Sequence, residues 1–215
     1  MRRATEFTAY SRTSLHPLRV IDSIRLFVFC FFLALLSFGC SVTPTTDATL
    51  LPYPAQYRQA LSEFSGDPDV DAETVDRFVD FLSNLGDPST GATASALYAS
   101  DVHFSDALMI TRDKQTVVDH FTRLSKAGTR VSVEIHQTLH NMHDVYLIWS
   151  MQARFTPVRK EVVSDTIGIT HVRFNDSGQV ILHQDFWDSG HGFYAHIPVL
   201  GAGVRAVARR FAADK

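Results

Sequence analysis

The hydrophobic period changes near Gly128, and that change limits the folds open to this chain. Before Gly128 the apolar residues recur at three- and four-residue spacing, whereas from Val131 to Trp187 they alternate, so a helical first half is followed by strands. Asp69 or Asp71 caps a helix carrying Val75, Phe78, Val79, Leu82 and Leu85 on one side, and Gly86, Asp87 and Pro88 stop it. A short helix over 93–98 precedes a brief strand and turn from Asp101 to Asp106. Thr111 or Asp113 then caps a second long helix with Val117, Phe121 and Leu124 on its buried side. Strands follow over 131–139, 145–155, 162–174 and 180–187, with turns at 141–144 and 175–178, so consecutive strands pair antiparallel. Each helix stripe needs an apolar surface to cover, which predicts an α+β fold with helices on one face of a curved antiparallel sheet.

The N-terminus reads as a targeting segment. Five arginines precede a thirteen-residue apolar run, Leu26 to Phe38, that ends on Gly39 and Cys40 and turns polar. A run of that length falls short of the ~20 residues that span a bilayer, and the order of charge, apolar run and small residue is that of an export signal. Gly39 followed by Cys40 resembles a bacterial lipoprotein signal, in which Cys40 becomes the lipidated first residue; an uncleaved signal anchor and an ordinary buried apolar segment are the alternatives. The expected organisation is therefore a signal over 1–39, a tether or loosely packed lead-in over 40–68, a folded domain over 69–196, and a short amphipathic helix over 197–215. The expected location is the bacterial cell envelope, lipid-anchored on the periplasmic side, with Ser41 after the cysteine fitting delivery to an outer membrane.

Composition excludes several functions. With 20 Lys+Arg against 23 Asp+Glu the chain lacks a basic field for nucleic acid. Removing residues 1–39 takes away five arginines, Glu6 and Asp22 and leaves 15 basic and 21 acidic residues, net −6, which also argues against a polybasic membrane surface. The two cysteines, Cys30 and Cys40, both precede the domain, so no disulfide framework and no cysteine-bound metal is expected in it. His136 and His140 are four strand residues apart, roughly 13 Å, too far to share one metal, and no metal site is expected. No dinucleotide-binding glycine fingerprint or nucleophilic-serine motif occurs, so no cofactor is expected.

Three stretches in order carry a family resemblance: Leu97 to Asp106, Thr170 to Gly178, and His183 to Asp188. Together with the element order they resemble the cone fold shared by nuclear transport factor 2, ketosteroid isomerase and the SnoaL-like polyketide-cyclase group, over Asp71 to Trp187. The resemblance implies a sheet curled around an apolar pocket, with a small apolar ligand or a protein partner, and frequent pairing into homodimers. It gives Asp106 the place of the isomerase's general base, which would need a modestly raised pKa. Thr170 falls where the isomerase holds a protonated acid, and Phe81 or Leu82 where it holds a tyrosine, so steroid-type isomerisation is not expected.

The last strand carries the other candidates. His183, Asp185 and Trp187 lie two residues apart and share one sheet face. A tight hairpin at 175–178 would set Thr170 opposite His183 and Gly168 opposite Asp185, gathering hydroxyl, imidazole and carboxylate. The histidine and aspartate resemble the pocket pair that SnoaL-like proteins use for acid/base work, with Asp185 orienting His183; a buried pair completing a polar layer is the plain alternative. His103 and Trp149 are further candidates for the pocket wall. Two functions follow: a tethered domain binding a small apolar ligand or a partner, or a cofactor-independent isomerase, cyclase or hydratase using Asp106, His183 and Asp185.

Overall fold

The computed structural model describes residues 53–126, 130–157 and 159–212. The signal, Cys40 and the first part of the tether lie outside them. In chain order the elements are α1 (Tyr53–Glu63), α2 (Ala72–Ser83), α3 (Thr90–Leu97), β1 (Tyr98–Ser105), β2 (Ile110–Asp113), α4 (Lys114–Lys126), β3 (Arg130–Asn141), β4 (Asp144–Phe155), β5 (Val162–Phe174), β6 (Val180–Trp187), a single turn α5 (Ser189–Gly192), a 3-10 turn (Tyr194–His196) and α6 (Leu200–Phe211). Asp71 caps α2, its carboxylate accepting from the Thr74 amide at 2.7 Å, and Asp113 accepts from the Thr116 amide at the start of α4.

The six strands form one open, curved sheet in the order β2-β1-β6-β5-β4-β3. All neighbours are antiparallel except β1 and β6, which run parallel. That parallel pair returns the end of the chain to the first strand and brings Tyr98 beside Val180. Helices α2, α3 and α4 cover the concave face, where Phe78, Phe81, Leu82, Tyr98, Phe104, Val117, Phe121, Leu147 and Phe174 form the main core. This is the α+β arrangement of helices on a curved sheet that the period change predicts, and the cone that the resemblance implies.

Besides the short strand β2, where the sequence reading has only the cap of the second long helix, two features depart from that reading. The segment read as a tether or loosely packed lead-in carries α1, whose Ala60 and following Phe64 pack on Leu182 across the opposite sheet face. Its polar contacts are specific. Arg173 donates from Nη1 to the carbonyls of Leu61 and Phe64 at 2.9 and 2.6 Å and from Nε to Asp144 at 2.6 Å, while the Tyr57 hydroxyl meets His171 Nδ1 at 2.8 Å. The isolated α1 sequence is weakly amphipathic, so periodicity does not announce it; the buried charges on the sheet hold it.

The second departure is the β5–β6 register. Asn175 to Gln179 closes a five-residue turn, its amide donating to the Gln179 carbonyl at 2.9 Å. Next to it the register shifts between Arg173 and Phe174, with Ile181 as the extra residue. Thr170 therefore pairs with Asp185, Gly168 with Trp187 and Val172 with His183, two positions from the pairing expected of a tight hairpin. The bulge also restores the face of the strand, since Val180 and His183 would otherwise point to opposite sides.

The α1 clamp generates two predictions. Arg173→Met leaves Asp144 half-buried without its charge partner and is expected to lower stability by about 3 kcal/mol, read from the urea midpoint. Burial holds the His171 and His103 pKa values below the ordinary 6.5, against the opposing hydrogen bonds from Asp144 and Gln184. Both imidazoles gain protons more readily in the unfolded chain, so their contribution is complete above pH 6.5 and declines as pH falls below it. The urea midpoint is expected to drop between pH 7 and 5.5, with a shallower drop in His171→Gln.

Candidate functional site

Between the concave sheet face and helices α2 and α4 lies a cavity of about 280 Å³. Its walls are mostly apolar: Leu82 from α2 and Leu85 from the turn after it, Phe121 and Leu124 from α4, Val133, Met151 and Phe155 from the sheet, and Phe193 beyond β6. Alternation along β4, β5 and β6 sends Trp149, Thr170, His183, Asp185 and Trp187 into the same space, and Asp106 joins them from the end of β1.

These polar groups form one hydrogen-bonded chain. Burial, with the nearby Asp185 charge, pushes the Tyr98 phenol well above its usual range, so it stays protonated. Its hydroxyl, 2.7 Å from His183 Nδ1, donates there. His183 Nε2 then carries the ring proton and donates to Asp185 Oδ1 at 3.0 Å. Trp149 Nε1 donates to Thr170 Oγ1 at 2.9 Å, and the Thr170 hydroxyl donates to the same Asp185 oxygen at 2.6 Å. Gly168 makes room for this arrangement: a Cβ there would stand 2.4 Å from Trp149 Cζ2.

Asp106 is held separately. Oδ1 accepts from the amides of Leu108 and Met109 at 2.9 and 2.8 Å, and Oδ2 lies 3.1 Å from His120 Nε2. Burial works to raise its pKa, but the His120 hydrogen bond and charge and the two amides outweigh it, and the carboxyl titrates below its ordinary value. This is opposite to the raised pKa that the general-base role would need. Trp187 Nε1 donates to the Asp106 carbonyl at 2.8 Å, tying the end of β6 to the end of β1.

Of the sequence candidates, Asp106, Trp149, Thr170, His183, Asp185 and Trp187 line the cavity and His103 does not. His103 points to the other sheet face, where Nε2 meets Gln184 Oε1 at 3.0 Å and Gln184 Nε2 donates to the Tyr53 hydroxyl at 2.7 Å. Its neighbour Phe104 takes the cavity face, as alternation requires. Two residues escaped the sequence reading. His120 completes the stripe Val117, His120, Phe121, Leu124 at positions i, i+3, i+4 and i+7, a signal visible in the sequence. Tyr98 reaches His183 only because β1 and β6 lie side by side, a long-range pairing with no local signal.

Gly168→Ala is expected to displace the Trp149 indole and to cost about 1–3 kcal/mol through overpacking. Tryptophan emission, recorded in a Trp187→Phe background so that Trp149 alone reports, should shift to longer wavelength as water reaches the ring.

Comparison with known proteins follows the same outline. The model of the SnoaL-like domain family matches residues 75–183. No curated protein matches the chain. Solved structures of similar outline include a protein assigned as a SnoaL-like polyketide cyclase from Shewanella denitrificans, 15% identical over 56% of this chain and 94% of that one, with a TM-score of 0.49. An epoxide hydrolase of the LEH-like type from M. tuberculosis is 16% identical, covering 63% of this chain and 90% of that one, with a TM-score of 0.44. A protein of ketosteroid isomerase-like fold from Catenulispora acidiphila, in complex with trimethylamine, is 12% identical over 57% of this chain and 91% of that one, with a TM-score of 0.46.

Proposed function

The chain belongs to the SnoaL-like domain family, and we propose that it is an exported, lipid-tethered binding domain whose cavity takes a small apolar ligand. The observation that carries this reading is the cavity itself: about 280 Å³ of mostly apolar wall with its polar groups gathered at the sheet. Ligand sites typically pair such a wall with a few convergent polar groups, and this volume is at the small end of their range. Apart from Asp185 Oδ2, the polar groups are tied to one another, and Asp106, with its lowered pKa, is a weak proton acceptor.

Export and tethering rest on the arginine-flanked run from Leu26 to Phe38 and on Cys40 after Gly39. Lipid on Cys40 would hold the domain at the membrane on the periplasmic side, and a single acyl chain alone gives weak attachment, so more than one is expected. Metabolic labelling of the full chain with a radioactive fatty acid should mark the protein and fail to mark Cys40→Ser. Unchanged labelling of that variant, or none of the parent, removes the tether. Self-association through the outer sheet face is a further element of the reading, supported by Ile167 and Phe186, 66% and 40% exposed on that face; light scattering of the purified protein would show a monomer mass if it is wrong.

The ligand reading is tested by native mass spectrometry of the processed protein purified from its source organism without detergent. A stoichiometric small apolar molecule is expected, and Ala153→Phe, which fills the cavity, should lower its occupancy at least tenfold. An empty, folded parent protein overturns the reading. A second reading, acid/base catalysis without a cofactor, is favoured by the buried chain from Tyr98 through His183 to Asp185. It requires that the retained molecule be consumed in solution and that His183→Gln abolish consumption while leaving binding intact.

A further inference from the structure

The hydrogen-bond inventory of the cavity specifies what its occupant must bring. Among the described residues that line it there is no lysine or arginine. Each lining hydroxyl and indole donor is already used on a protein acceptor: Trp149 Nε1 on Thr170, the Thr170 hydroxyl on Asp185, Trp187 Nε1 on the Asp106 carbonyl, and the Ser164 hydroxyl on the Gly192 carbonyl. His183 is engaged at both nitrogens and His120 at Nε2. Both oxygens of Asp106 accept from protein groups.

Asp185 differs. Both of its bonds fall on Oδ1, and no donor among the described residues reaches Oδ2. Its charge is not cancelled by His183 either. The buried Tyr98 hydroxyl has one proton and one partner, His183 Nδ1, and a doubly protonated ring would leave that proton without an acceptor. A carboxylate met only by neutral donors in a mostly apolar cavity attracts a cation more strongly than a neutral donor does. The walls add the aromatic rings of Phe104, Phe121, Trp149 and Trp187, whose π-faces attract a cation.

We infer that the cavity takes an apolar molecule bearing one protonated amine, whose ammonium donates to Asp185 Oδ2 while its hydrocarbon body fills the wall between α2, α4 and the sheet. The inference rests on reading the cavity as a ligand site and adds the chemical class of the ligand. A carboxylate ligand would meet the like charge of Asp185, and an alcohol would supply the hydrogen bond without the charge.

Calorimetric titration of the purified protein at pH 7 with four probes of one shape tests this: 2-phenylethylamine, 2-phenylethanol, 3-phenylpropionate and ethylbenzene. The amine is expected to bind at least tenfold more tightly than the alcohol, and the carboxylate to give no measurable heat. Asp185→Asn should weaken the amine at least tenfold and leave ethylbenzene unchanged, which also reports that the variant is folded. The ranking on the unaltered protein stands whether or not that variant folds. Equal affinity for amine and alcohol, or tighter binding of the carboxylate, overturns the inference. Ethylbenzene binding as tightly as the amine overturns it and keeps the cavity as an apolar ligand site; no binding by any of the four removes both.

Discussion

The pairing of Thr170 with Asp185 is the constraint from which the rest of the site follows. It sets the hydroxyl of β5 against the carboxylate of β6, so that Asp185 Oδ1 receives Thr170 and His183 together and Oδ2 is left for the cavity. The five-residue turn at Asn175–Gln179 and the bulge at Ile181 produce that register. A shift of one position would turn His183 and Asp185 to the outer face and put Gln184 and Phe186 in their place. Gly168 belongs to the same device, because only the absence of a side chain there lets the Trp149 indole lie across β5 and reach Thr170.

The sheet carries a second tyrosine–histidine–aspartate chain on its other side. Tyr57, His171 and Asp144 repeat the connectivity of Tyr98, His183 and Asp185: a phenol at Nδ1 and a carboxylate at Nε2. Val172 pairs with His183, so the two imidazoles sit at neighbouring points of the sheet and face opposite ways. Their surroundings separate their roles. Arg173 adds a guanidinium to Asp144 and fastens α1 over the outer chain, which turns it into a structural clamp. The inner chain has no such cation and opens on a cavity, which leaves its carboxylate available to a ligand. Residue types and connectivity are the same; what covers each face differs.

Much of this was legible in the sequence. The period change located the sheet and the concave helices, and two-residue spacing in β6 correctly placed His183, Asp185 and Trp187 on one face. His103 failed for a simple reason: a short strand flanked by polar residues does not reveal which of two adjacent side chains faces the core, and Phe104 took that position. Asp106 reached the cavity as the resemblance implied, but its pKa was set by His120 and by two amides of the following turn, partners fixed by α4 and by a local backbone bend. The helix α1 was missed because its stripe is weak and its attachment is made by charges from Asp144 and Arg173, some eighty residues or more further along the chain.

The sequence by itself determined the α+β class, five of the six strands and the inward face of β6, because hydrophobic period is a local property that each segment expresses alone, and its motif stretches carried the family. The tertiary structure decided the β5–β6 register, the parallel contact that brings Tyr98 to His183, and the cover on each side of the sheet. Those depend on turn length, a one-residue bulge and the meeting of residues 85 positions apart, and together they settle which carboxylate is spent on the fold and which faces the cavity.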